Sequence, residues 1–341
     1  MTDELSDWLG PVNGIVLLGG GTLLRELATW ATQESFDIRV ITAPRHANEA
    51  VGEETLNDFL KTNEIKHIVT ARIDTTEVKE FLQETHGFIH LSLGAAWIFS
   101  AEIIENLFSN KLLNLHGTRL PQNRGGGGPS WKIMMGDRFG NCLIHRIDGG
   151  VDTGDILDYE EFIYPPSARR PIDYDNEAVK RNFHFVVRFI ERHRHRPKKL
   201  KRIHQPEYLS SYWPRLNTDI NGWIDWSWDA PDLERFICAF DEPYPGAQSF
   251  LGSREARLKS VVLSGSEAGF HPFQSGLVYR VNKGWCCIAV RGGTLIAEKV
   301  VDDQGHDILE TIRVGDRFYT PQHYLDSALE RAVYTPTGLS R

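Results

Sequence analysis

Asn114 and His116 stand two residues apart at the end of the apolar run Leu112-Leu113-Asn114-Leu115-His116. The run reads as a buried strand that Gly117 ends. Side chains alternate along a strand, so the amide and the imidazole share one face. Both are able to donate hydrogen bonds, and the imidazole also exchanges a proton near neutral pH. Polar groups at the C-terminal end of a strand fit the place where open α/β sheets build their sites. The plain alternative is a satisfied core asparagine beside a structural histidine, and the context weighs against it. Arg119 to Gly128 is a long loop with Pro121, Arg124 and four consecutive glycines, which lets backbone approach a ligand closely. Pro129-Ser130-Trp131 opens a short helix directly after it.

A third candidate follows the strand Cys142 to Ile147. The segment Asp148-Gly149-Gly150-Val151-Asp152-Thr153-Gly154-Asp155 has three glycines and three aspartates in eight residues, so it must turn sharply. Asp148 and Asp155 suit turn-stabilising side-chain bonds, which leaves Asp152 for chemistry. Its carboxylate would favour the charged form of a nearby imidazole. Cys142 has no evident partner, and no strand-turn-helix elbow presents a nucleophilic serine.

These residues resemble the N10-formyltetrahydrofolate-dependent formyltransferases, a family that includes the methionyl-tRNA, glycinamide ribonucleotide and sugar N-formyltransferases. The family's marks are an N-x-H strand, an H-x-x-L-L-P-x-x-R-G loop and a D-x-G-x-D-T-G-x-I/L turn. They stand here as Asn114-Leu115-His116, as His116 to Gly125, and as Asp148 to Ile156. Arg119 replaces the usual first leucine of the loop, and Gly125 to Gly128 replaces a frequent Gly-Ala-Ala-Pro, both on the acceptor side. The resemblance implies that Asn114, His116 and Asp152 are catalytic. An amine attacks the formyl carbon, Asn114 and protonated His116 stabilise the oxyanion, and Asp152 orients water that removes the amine's proton. It also implies an N10-formyltetrahydrofolate site. The pterin would lie between the backbone of Trp97-Ile98-Phe99 and the segment Ile147-Asp148-Gly149-Gly150. Arg119, Gln122, Asn123 and Arg124 fall where the acceptor would be read. No metal is implied, and the thirteen histidines show no zinc-ligand spacing.

The rest of the chain must position this stretch. Ile15 to Leu18, Ile38 to Ala43, Ile68 to Thr70 and Phe88 to Leu93 read as strands. Helices are expected at 22–31, 52–65, 75–85 and 101–108, which predicts an α/β, Rossmann-like, mostly parallel sheet. Gly19-Gly20-Gly21 begins a dinucleotide-like turn, but Leu24 stands where its last glycine belongs, which makes NAD a poor fit. A long helix is expected over Asp175 to Arg194. The basic run Arg192 to Arg202, with seven Lys and Arg in eleven residues, reads as a solvated helix end and linker rather than an anion patch. The last third has short strands at 257–263, 276–281, 285–290 and 294–300. With Ile224-Asp225-Trp226 and Pro243-Tyr244-Pro245-Gly246-Ala247, it resembles the C-terminal domain of methionyl-tRNA and amino-arabinose formyltransferases. That implies a small OB-like β-barrel, with the tryptophans mostly in its core. The expected divisions are 1–200 for the catalytic domain, 201–220 for a linker, 221–320 for the barrel and 321–341 for a tail.

At 341 residues two domains are expected. No stretch of 18 apolar residues suggests a membrane span, the acidic MTDELSDWLG lacks a signal-peptide pattern, and four cysteines in no framework suit a reducing cytoplasm. Net charge is −8, and residues 203–341 carry 13 Lys and Arg against 18 Asp and Glu, which opposes tRNA binding by that region. The expected acceptor is therefore a nucleotide-linked amino sugar, a precursor of cell-surface polysaccharide such as lipopolysaccharide, and a homodimer is an open expectation. The alternatives are a methionyl-tRNA formyltransferase, a hydrolase that deformylates the folate, and a non-catalytic folate-fold regulator.

Overall fold

The computed structural model describes residues 8–265 and 269–340. The first seven residues, on which the signal-peptide expectation largely rests, lie outside the described residues. Strands β1 (Gly14–Gly19), β2 (Asp37–Thr42), β3 (Lys66–Val69), β4 (Phe88–Leu93) and β5 (Leu112–His116) alternate with helices α1 (Gly21–Gln33), α2 (Leu56–Thr62), α3 (Thr76–Phe81) and α4 (Ala101–Phe108). They form the parallel part of a seven-stranded sheet in the order β3-β2-β1-β4-β5. After α5 (Gly128–Met134), strands β6 (Phe139–Arg146) and β7 (Ile156–Ile163) add antiparallel to the β5 edge. The order reverses at β1/β4, as in doubly wound nucleotide-binding sheets.

Burial on both faces explains the continuous apolar strands. Ile15 and Leu17 of β1 pack under α1 and the long helix α6 (Pro171–His193), with Leu24, Phe185 and Phe189. Val16 and Leu18 face the other way, toward Val78, Ile104 and Phe108 of α3 and α4. Helix α2 is shorter than expected because Thr55 caps it, its hydroxyl accepting from the Asp58 N–H. Helix α6 begins earlier than expected, since Pro171 suits a first turn and Asp173 accepts from the Arg170 backbone N–H. The basic run is mostly spent on structure. Arg192 pairs with Asp158, Arg194 with Glu34 at 3.1 Å, and Lys198-Lys199 pairs as a strand with Trp8-Leu9.

The C-terminal part holds α7 (Ala230–Ala239) and six antiparallel strands: β8 (Ala247–Leu251), β9 (Arg254–Ser264), β10 (Val278–Asn282), β11 (Trp285–Val290), β12 (Gly293–Val301) and β13 (Phe318–Tyr319), in the order β10-β11-β12-β9-β8-β13. An antiparallel bridge between Leu277 and Arg317 joins the two ends, which closes the sheet into the expected small barrel. Closure depends on Gly276, where a Cβ would lie 2.0 Å from the Phe318 carbonyl oxygen. Trp223 and Trp226 are buried, and Trp226 stacks on Phe318 inside the barrel. The barrel shares one core with the first domain: Ile133, Tyr164 and Tyr174 cluster with Leu233, Ile237 and Phe240, and the Ser130 hydroxyl donates to the Ala239 carbonyl at 2.8 Å. No helix among the described residues is long and apolar enough to cross a membrane.

Two buried histidines give this core a pH dependence. Burial pushes both His46 and His90 down to about 4. The unfolded chain therefore binds more protons than the folded one between pH 6.5 and 4, and stability falls as pH falls through that window. A melting temperature that declines from pH 7 to 4.5, with a shallower slope in His90→Asn, is the expected result; identical slopes would refute it.

Candidate active site

The period of β5 places Asn114 and His116 on the face toward α4, at the strand's C-terminal end. The antiparallel partner β6 sets His145 opposite Asn114 in the ladder, so its side chain points the same way. The Asn114 amide donates to His145 Nε2 at 3.1 Å. His145 Nδ1 sits 2.7 Å from the Arg146 carbonyl oxygen, which can only accept, so the ring proton is on Nδ1 and Nε2 is the acceptor. His145 is a functional residue that the sequence did not single out. Its only signal there is a strand position opposite Asn114, and that register is visible only once β6 has paired.

His116 is 8% exposed. Its Nε2 lies 2.6 Å from the Thr118 hydroxyl and 3.1 Å from the Asn123 carbonyl oxygen, and Thr118 donates to the same carbonyl at 2.6 Å. The proton is therefore on Nε2, and Nδ1 faces Asp152 Oδ1 at 3.8 Å. Burial pulls the imidazole below its ordinary pKa, outweighing the opposing pull of Asp152. The neighbouring carboxylate favours the imidazolium and burial opposes it.

Asp152 completes the group from the β6–β7 connection. Burial penalises its charged form, but the imidazoles of His145 and His116 when protonated, together with the N–H of Gly125, hold its carboxyl well below the usual carboxylate range. Its Oδ1 lies 3.5 Å from His145 Nε2, and its Oδ2 accepts from the Gly125 N–H at 2.9 Å. The backbone of Asp152 is left-handed, with φ of 53°, a conformation that costs on the order of 1–3 kcal/mol for a residue with a side chain. The turn around it is tightly braced. A Cβ on Gly154 would lie 2.0 Å from the Arg146 carbonyl oxygen, and Gln205 Nε2 donates to the carbonyls of Asp152 at 3.0 Å and Gly154 at 2.6 Å. Reactive atoms of His116, His145 and Asp152 all lie within 4.8 Å of one another, a grouping that no spacing along the chain foretells.

Gln205 belongs to the stretch expected to be a mere linker. Its Oε1 also accepts from Arg124 Nε and Nη2, both at 3.3 Å, while Arg124 Nη1 reaches Glu207 at 2.7 Å. Arg124 is 6% exposed and braces the Asp152 turn through Gln205. That role replaces the acceptor contact expected for its side chain. In Gln205→Ala two carbonyls lose a donor and the Arg124 guanidinium keeps only Glu207, each lost bond costing about 1–3 kcal/mol, and a loosened Asp152 is expected to lower kcat about 10–100-fold. Thermal melting and steady-state kinetics check this; wild-type kcat in the variant would show that Asp152 needs no such brace.

The other expected residues divide as follows. Trp97 and Phe99 are buried in the core beside α4, Ile98 is fully open, and Ile147 packs on that same core. A Cβ on Gly149 would come 3.8 Å from Ala101. The segments 97–99 and 147–150 thus border the same core, and residues 148–150 and Ile98 are exposed. Asp148 accepts from the Gly150 N–H at 3.1 Å and from the Thr153 hydroxyl, the turn role expected of it. Asp155 instead pairs with His204 at 3.4 Å. On the acceptor side, Arg119 is exposed and near Glu161 at 3.6 Å, Gln122 Oε1 is buried without a partner, and Asn123 contributes its carbonyl to His116.

An amide donor, a buried imidazole and a desolvated carboxylate on one face suit acyl transfer through an oxyanion. Comparison with known proteins agrees. A family model described as formyl transferase matches residues 13–163, and one described as the formyl transferase C-terminal domain matches residues 218–310. A curated methionyl-tRNA formyltransferase of Acetivibrio thermocellus is 22% identical over 282 residues, covering 80% of this chain and 86% of that protein. Two solved structures share the fold. One is a sugar 3N-formyl transferase determined with dTDP and 5-N-formyl-THF (20% identity, TM-score 0.63, 84% of this chain and 97% of that one). The other is an N-formyltransferase from Helicobacter canadensis in complex with folinic acid and dTDP-3-aminofucose (19% identity, TM-score 0.65, 84% and 99%). With the sheet domain and the barrel both matched, and Asn114, His116 and Asp152 gathered at one strand end, this chain belongs to the formyl transferase family.

Proposed function

We propose that the chain transfers the formyl group of N10-formyltetrahydrofolate to the primary amine of a nucleotide-linked amino sugar. The observation that carries the reaction is the meeting of Asn114, His116 and Asp152, with His145 holding the Asn114 amide. The pterin would lie against the exposed residues of 97–99 and 147–150. The amine's nitrogen bonds to the formyl carbon, and the carbonyl oxygen becomes an oxyanion that takes hydrogen bonds from Asn114 and from His116. The amine's proton leaves by way of Asp152. Collapse of the intermediate breaks the carbon–N10 bond, and N10 gains a proton as tetrahydrofolate departs. No covalent enzyme intermediate is required.

The acceptor reading rests on charge and on likeness. The C-terminal region is net negative, unlike a surface that holds an RNA backbone, and the similar solved folds include a sugar 3N-formyl transferase with dTDP and an N-formyltransferase with dTDP-3-aminofucose. Arg119, Gln122 and Asn123 remain the loop residues proposed to meet the acceptor. The curated relatives favour a second reading, methionyl-tRNA as acceptor.

The test measures tetrahydrofolate release from N10-formyltetrahydrofolate with and without a panel of nucleotide-linked amino sugars, beside methionyl-tRNA. Turnover that needs one amino sugar and disappears in His116→Ala is the expected result. Formylation of the tRNA alone would replace the acceptor, and release with no acceptor would make the protein a folate hydrolase.

A further inference from the structure

We propose that Arg45 and Arg215, gathered on the ring of Tyr334, form the seat for the acceptor's diphosphate; the identity of the acceptor rests on the reading above, while the seat rests on its own geometry. Arg45 lies in the turn that follows β2, Arg215 in the connection between the two domains, and Tyr334 in the hairpin near the end of the chain. The guanidinium carbons lie 5.6 Å and 5.3 Å from the Tyr334 ring centre. Two like charges are thus brought to one aromatic ring from distant parts of the sequence.

Neither guanidinium has a close acidic partner among the described residues. Among the described residues neither makes a salt bridge within 4 Å or a side-chain hydrogen bond, and Arg45 Nε is buried with no partner. The charge of Glu49 bears on both arginines, but its carboxylate pairs with neither within 4 Å. Burial and the charge of Arg215 both pull the Arg45 pKa down. Arg45 is half-buried with an unused donor, Arg215 stands exposed beside it, and the planar fork of arginine suits phosphate oxygens.

The pair is also in the right place. A Cβ on Gly126 would lie 3.1 Å from Arg215 Cβ and 3.3 Å from its Nε, and the neighbouring Gly125 N–H is the one that holds Asp152. Tyr334 also lines a pocket with Gly127, Ser130, Asn217, Phe240 and Tyr244, which runs from the glycine loop toward the barrel. The hairpin that supplies Tyr334 is fastened down: Asn217 Nδ2 donates to the Tyr334 hydroxyl at 2.9 Å, and the Arg45 N–H donates to the Pro336 carbonyl at 3.2 Å. Arg215 and Tyr334 both fall outside the stretches that the family models match. The seat is suited to setting the choice of acceptor rather than the reaction.

Calorimetric titration of the full chain with inorganic pyrophosphate is the first measurement, followed by KM for whichever nucleotide-linked amino sugar turns over. Arg45→Ala and Arg215→Ala are each expected to weaken pyrophosphate about 10–100-fold and to raise the acceptor KM in step. Arg215→Lys should retain part of the affinity, and Tyr334→Leu should lose some by removing the shared ring. Binding of 5-formyltetrahydrofolate checks that each variant is folded. Unchanged pyrophosphate affinity in folded Arg45→Ala/Arg215→Ala overturns the seat and leaves the acceptor reading intact. Pyrophosphate binding that depends on both arginines, with no amino sugar turned over, keeps the seat and sinks the acceptor reading. A wild-type chain that ignores pyrophosphate, while its KM for methionyl-tRNA follows Arg45 and Arg215, overturns the proposal in favour of an RNA backbone.

Discussion

Asp152→Asn is expected to leave the protein folded and to lower kcat about 10²–10⁴-fold, the range for losing a positioned proton-transfer group. The fold should survive because asparagine tolerates the left-handed backbone that Asp152 adopts. Its side-chain oxygen can still accept the Gly125 N–H. What disappears is the negative charge between the His116 and His145 rings, at 3.8 and 3.5 Å. That charge opposes the downward pull of burial on His116, so without it the ring is harder to protonate as the oxyanion forms. The amine's proton also loses its acceptor. Both effects fall on the chemical step, so donor binding should change far less than kcat. A variant that keeps kcat within tenfold of the parent would show that Asp152 is only a scaffold for the glycine loop.

Asn114→Ala should cost about 10²–10³-fold in kcat, the effect of removing one oxyanion donor. The amide is aimed by its bond to His145 Nε2, whose own ring is fixed by the Arg146 carbonyl. A donor held this way needs no reorganisation when the oxyanion appears. Its bond strengthens in the transition state more than in the ground state, so KM for the formyl donor should move little. Combined with Asp152→Asn, the loss should fall well short of the product of the two, because both groups serve one step. A raised KM with unchanged kcat in Asn114→Ala would mean that the amide only binds substrate.

The local features of this protein were legible in its sequence because they depend on near neighbours. Continuous apolar runs such as Ile15 to Leu18 announce strands buried on both faces, and the alternation of strands and helices announces a doubly wound sheet. The two-residue spacing of Asn114 and His116 sets them on one face whatever the strand pairs with. The glycines and aspartates of 148–155 dictate a sharp turn, and the N-x-H and D-T-G patterns carry the family. The barrel was legible as short strands, although its closure depends on Gly276 meeting Phe318 across 42 residues of chain.

Tertiary structure alone decided what those features touch. His145 became part of the site through an antiparallel register, which is set by the long-range pairing of β5 with β6. Gln205, in a stretch read as linker, became the brace of Asp152, and Arg124 turned inward to hold it rather than outward to the acceptor. The balance at His116 between burial and the facing carboxylate depends on its depth in the fold, which composition cannot report. Arg45, Arg215 and Tyr334 carry no mark in the sequence at all. They lie at three distant points of the chain, and only the docking of the final hairpin against the turn after β2 brings their charges to one place.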